Sequence, residues 1–212
     1  MTPSNFLTRS IGGLAIAIGG VTLLGTVSLI LFFTIGGRFG TLNDLCNAVE
    51  AILSAVLAWR MYPWLRSHAP RLSGFALIAA WAGALIATIG SALIIFDVTG
   101  WYLAGLYTML GYALVGMWLF ALNLAAPRGF PWPRRLAQLG LLTAACIAIG
   151  FLSGPGILGS VDDVGAAPWF VNLGLLGSMG WMFLYPCWCL WLGRLLVSKS
   201  ATMHGIYEGG TT

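Results

Sequence analysis

The sequence predicts an all-α membrane protein, a six-transmembrane-helix bundle with its N-terminus and C-terminus both cytoplasmic. Three observations lead there. Of the 212 residues, 59% are hydrophobic and only 8% charged, against roughly 45 to 50% and about 25% in an ordinary soluble domain. Six apolar runs approach or exceed the roughly 20 residues a helix needs to cross the hydrocarbon core. With six alternating spans, nine of the ten basic residues fall on one side: Arg9, Arg60, Arg66, Arg71, Arg128, Arg134, Arg135, Arg194 and Lys199, leaving only Arg38 on the other. That is the positive-inside distribution, and a span more or fewer would scatter the later arginines across both faces.

Residues 1–197 are expected to form a single membrane domain, with spans at about 11–35, 41–59, 73–96, 101–124, 136–152 and 169–193. Residues 198–212 read as a flexible cytoplasmic tail. The uncharged stretch behind the polar lead is longer than the roughly 7 to 15 apolar residues of a signal peptide, so it reads as an uncleaved first helix. Glycines in GGRFG (36–40) mark a turn before the second helix. Residues 60–71, with two prolines and three arginines, read as a loop. The third span carries two small-residue stripes, Ala79, Gly83, Ala87, Ser91 and Ala76, Ala80, Ala84, Thr88, Ala92. Such stripes permit close helix approach and mark this span as central. The fourth begins with Trp101 and Tyr102, suited to interfacial anchoring.

A second basic loop, PRGFPWPRR (127–135), leads to the fifth span, where Gly140, Ala144 and Ala148 repeat the small stripe. The Gly- and Pro-rich segment 153–168 reads as the longest interhelical loop, with Asp162 and Asp163 as solvated charges. In the sixth span Pro186 removes the hydrogen bond to the Met182 carbonyl, kinking the helix and freeing an acceptor. Trp169 and Phe170 repeat the aromatic pair of the fourth span, a recurrence that interfacial depth explains without an internal repeat.

Several chemistries are excluded. The only histidines, His68 and His204, lie in a loop and in the tail, so no bis-histidine haem site or histidine-ligated chlorophyll is expected. GFLSG (150–154) has one residue more than the GxSG of rhomboid proteases, and no histidine within a span is available as a base. Cys187 and Cys189 lack CxxC spacing, and with Cys46 and Cys146 they fall inside spans rather than in a disulfide framework. No basic run interleaved with aromatics suggests nucleic acid. The expected partners are the lipid bilayer and, as an open alternative, other membrane-protein subunits; no cofactor is expected.

What remains is a polar seam on the second helix. Asn43, Asn47, Glu50 and Ser54 recur at steps of four, three and four residues and share one helical face. Thr41-x-x-Asp44 has the form of a capping box at its outer end, and Arg38, the only external cation, is placed to pair with Asp44 or to attract anions. Glu50 lies about 13 to 15 Å from either end of the span. Acidic groups at that depth cost about 2.5 to 3.5 kcal/mol on insertion scales. No basic residue in any span core neutralises it, so it is expected to be protonated, to meet a water-filled cavity, or to receive a cation. As a purely structural element it would bond Asn47, Ser54 or a tyrosine such as Tyr107, Tyr112 or Tyr185.

The six-span plan resembles that of many small bacterial membrane proteins, and no residue roles follow from the likeness. The expected setting is a bacterial plasma (inner) membrane. Two functions stay open: non-enzymatic binding or transport of a small solute or proton through a polar pocket on helix two, and an accessory subunit docking on a larger membrane complex.

Overall fold

The computed structural model describes residues 3–126 and 133–208, with side chains from residue 8 to residue 198. The heart of the 127–135 loop and the end of the 198–212 tail lie outside the described residues. Six helical segments are long and apolar enough to cross a membrane: Thr8–Ile35, Phe39–His68, Pro70–Ile95, Trp101–Ala125, Arg134–Leu158 and Trp169–Ser198. Among the described residues there is no strand. The chain is an all-α six-helix membrane bundle, and its exposed large apolar side chains are the surface that lipid covers.

The first four spans are single helices, α1 (Pro3–Ile35), α2 (Phe39–His68), α3 (Pro70–Ile95) and α4 (Trp101–Ala125). Residues 60–68, expected in a loop, continue α2, with Pro63 inside the helix. The break comes one residue before the second proline. Ala69 is pulled out of the helical region (φ −146, ψ 68) and Pro70 then opens α3, as the clash of a proline ring with the preceding residue requires.

The fifth and sixth spans are broken. α5 (Arg134–Ala148) tightens into a 3-10 segment, Ile149–Ser153, before α6 (Gly154–Leu158), so the expected loop at 153–168 is helical over its first part. The sixth span comprises α7 (Trp169–Gly174), α8 (Gly177–Met179), a π-helical segment at Gly180–Leu184, and α9 (Tyr185–Glu208). Gly174, Gly177 and Gly180 explain the irregular stretch, because a Cβ on each would stand 2.8 Å from Ser153 Oγ, 2.9 Å from Gly150 N and 2.7 Å from Cys146 Cβ respectively. Their three-residue spacing keeps one bare edge against the end of α5 only if the backbone overwinds. It does so through i→i+3 bonds such as Leu176 N to Leu173 O at 2.9 Å and Met179 N to Leu176 O at 3.1 Å. The π turn then unwinds, just before Pro186.

Small residues weld the bundle. Gly83 and Gly111 join α3 to α4, where a Cβ on Gly111 would stand 2.5 Å from Ala87 N, and Gly12 and Gly193 join the first helix to the last. Both stripes of α3 are buried or nearly so. The expectation that α3 is central is nonetheless corrected. In its most apolar stretch 39% of residues are buried, against 67% in α4, because Phe75, Ile78, Trp81 and Leu85 point outward from α3. A glycine-lined face needs one partner, not a ring of them.

Overpacking a closed glycine contact costs about 1 to 3 kcal/mol. Gly111→Val is therefore expected to lower the detergent melting temperature by several degrees. Gly20→Ala, where a Cβ meets nothing within 4 Å, is expected to leave it unchanged or raise it slightly.

Candidate functional site

The turn at Gly36 and Gly37, both at positive φ (79° and 73°), is short enough that α2 starts at Phe39, with Arg38 as its N-cap and no side-chain capping bond. Thr41 is thus already inside the helix, and the expected Thr41–Asp44 capping box does not form. Asp44 Oδ1 instead accepts from Asn43 Nδ2 at 3.3 Å. The side-chain cap that does form lies elsewhere. Asp162 accepts from Gly100 N at 2.6 Å and from Leu103 N at 3.0 Å, so this exposed charge also holds the start of α4. Trp101 beside it is exposed, as an anchor should be.

A cleft of about 540 Å³ opens between the α1–α2 turn, the α3–α4 turn and the broken part of the sixth span. On α2 its lining is Gly40, Thr41, Asn43, Asp44 and Asn47; its walls include Phe32, Phe33, Trp101 and Trp181, with Asp97 at the rim. Of the six residues singled out from sequence, these three asparagine and aspartate side chains come together in the cleft. Arg38 is exposed on the turn and does not line it.

Glu50 lies one step deeper. It is fully buried, and its Oε1 accepts a 2.9 Å hydrogen bond from Trp181 Nε1. Trp181 faces both ways, since it also forms part of the cleft wall. Its ring leans on Tyr112, with centroids 4.8 Å apart. The Thr22 and Tyr112 hydroxyls stand beside the Glu50 carboxyl, but their protons go to backbone carbonyls, Thr22 to Ile18 O at 2.9 Å and Tyr112 to Asn47 O at 3.0 Å. Among the described residues, none donates to Glu50 Oε2. A buried polar atom left so costs about 1 to 3 kcal/mol.

Ser54, one turn further, is drawn into a different cluster. Its Oγ and the Tyr185 hydroxyl are 2.8 Å apart, and Tyr185 stacks parallel to Trp188 at 6.3 Å. This ties α2 to α9 and leaves Ser54 outside the cleft. The acceptor freed by Pro186 is also accounted for, because Met182 O receives the Thr26 hydroxyl of α1 at 3.4 Å.

Two tryptophans carry what sequence reading missed. Trp181 holds Glu50, and Trp188 Nε1 donates at 3.2 Å to Asn123 Oδ1, a fully buried carboxamide on α4 packed against Gly140. The signal was available: tryptophans belong at span ends, and one buried at mid-span needs a partner for its N–H.

Trp181→Phe removes the donor to Glu50 and is expected to destabilise the detergent-solubilised protein by about 1 to 3 kcal/mol. In the background of Glu50→Leu the same change is expected to cost much less, a coupling of about 0.5 to 3 kcal/mol in a double-mutant cycle. A coupling of zero means the bond contributes nothing. No protein-family model matches the chain, and no curated protein or solved structure is similar to it.

Proposed function

We propose that the cleft is an outward-facing binding site for a small solute in a bacterial plasma membrane, and that occupancy of the cleft is linked to the proton on Glu50. The observation that carries the reading is the position of Trp181, whose ring lines the cleft while its indole N–H holds the buried carboxyl. A solute that moves this side chain releases Glu50 Oε1 and admits water to a group otherwise sealed. The positive-inside rule, applied to the distribution of basic residues along the sequence, supports the outward orientation.

The broken spans support the same reading. Irregular backbone is tolerated at membrane depth only where it is buried in protein or lines a cavity. The overwound and underwound parts of the sixth span do both, packing on the end of α5 while Leu175, Ser178, Trp181 and Met182 line the cleft. Discontinuous helices line the substrate site in many secondary transporters, and here the sixth span is a discontinuous helix that lines the cleft.

The test is solute uptake into proteoliposomes with an entrapped pH dye. Across a panel of small solutes, the wild-type protein is expected to couple entry of at least one to a change in internal pH. Glu50→Gln, which keeps an acceptor for Trp181 but cannot exchange a proton, is expected to reduce that pH signal at least tenfold. Proton-linked uptake unchanged in Glu50→Gln sinks the reading.

A further inference from the structure

We infer that the solute is an organic cation, a protonated amine on an apolar or aromatic body; the inference rests on the cleft being a solute site. Charge points first in this direction. The ionisable side chains that line the cleft are Asp44 and Asp97, and its lining contains no lysine, arginine or histidine. A cleft walled by low-dielectric surface focuses the field of such carboxylates on whatever enters.

Hydrogen-bonding capacity points the same way. Asn43 and Asn47 line the cleft at 6% and 5% exposure, and the carboxamide oxygen of each lacks a donor, as does Glu50 Oε2 behind Trp181. The two carboxamide oxygens converge beside Gly25 of α1, 3.7 and 3.8 Å from where a Cβ there would stand. The two carboxamide oxygens are acceptors, and Glu50 Oε2 becomes one when its proton leaves. These oxygens lack an N–H partner, and an alkylammonium brings up to three such donors with a positive charge. A carboxylate or phosphate would add acceptors to a place already short of donors.

The walls supply the rest. Phe32, Phe33, Trp101 and Trp181 present aromatic surface, which attracts a cation near the ring face and buries an apolar body. At about 540 Å³ the cleft falls in the size range of small-molecule sites. The ammonium is placed toward Asn47 and Trp181, where it takes the place of the indole N–H at Glu50, and the apolar body lies between the phenylalanines and Trp101.

Three probes of matched shape separate the possibilities: 2-phenylethylamine, 2-phenylethanol and 3-phenylpropionate, each titrated into the full-length protein in nanodiscs with thermal shift and tryptophan fluorescence as readouts. The amine is expected to bind at least tenfold more tightly than the alcohol, with the carboxylate weakest. Asp97→Asn, at an exposed rim position, is expected to weaken the amine severalfold and leave the alcohol unchanged. Asn47→Ala should weaken the amine at least tenfold, with folding checked by its melting curve. Equal binding of amine and alcohol, or preferred binding of the carboxylate, overturns the cation inference while the cleft stands as a solute site. Failure of all three to bind folded protein overturns both.

Discussion

The hydrogen bond from Trp181 to Glu50 is the contact around which the interior is arranged. An acidic side chain near the centre of a span costs about 2.5 to 3.5 kcal/mol, and one hydrogen bond returns about 1. The remainder has to come from packing. Glu50 is enclosed by α2 itself, by Thr22 of α1, by Tyr112 of α4 and by the sixth span, so four spans share one polar group. Tyr112 serves twice, bracing the indole at 4.8 Å and donating to the Asn47 carbonyl at 3.0 Å. Removing any one of these elements would open the carboxyl to lipid or to the cleft.

That arrangement depends on the backbone of the sixth span. A regular helix from Trp169 to Pro186 would carry Gly174, Gly177 and Gly180 progressively around its circumference. Only overwinding keeps them on the α5 edge, and the π turn that follows restores the helical phase before Pro186. Trp181 sits inside that turn. The glycines set where the span approaches α5, and the unwinding aims the indole at α2. Proline then leaves Met182 O free for Thr26, which fastens the same segment to α1.

Much of the fold was legible because it follows from solvent. Six spans and the one-sided basic residues are consequences of hydrocarbon thickness and of charge, and both are local properties of the sequence. The small stripes of α3 were visible for the same reason. Of the two prolines read as marking a loop, one misled: Pro63 sits within α2, whereas Pro70 does follow a break in the helix at Ala69. A proline removes one donor and crowds one turn, and whether a helix tolerates that depends on what surrounds it. At the site, Glu50 was legible as an anomaly of depth. Trp181 was legible only as a mid-span tryptophan in need of a partner; that the partner is Glu50 depends on a change in helical winding where the sixth span packs against α5. Ser54 shared the helical face of Glu50 yet joined another cluster, since 3.6 residues per turn places neighbours on a face without choosing their partners.

The division of the seam into two parts has a physical basis. Asn43, Asp44 and Asn47 occupy the second and third turns of α2, near the α1–α2 turn, and line the cleft there. Glu50 and Ser54 lie below the level at which the α1–α2 and α3–α4 ends splay apart, so each must find a partner in protein. Ser54 finds a hydroxyl and is satisfied at 2.8 Å. Glu50 finds one donor for two oxygens. The half-satisfied carboxyl is thus separated from the cleft by a single side chain, Trp181. On the proposed reading its free oxygen would open to a ligand once its proton leaves and Trp181 turns away, and the packing that makes Glu50 costly to bury would also make it responsive.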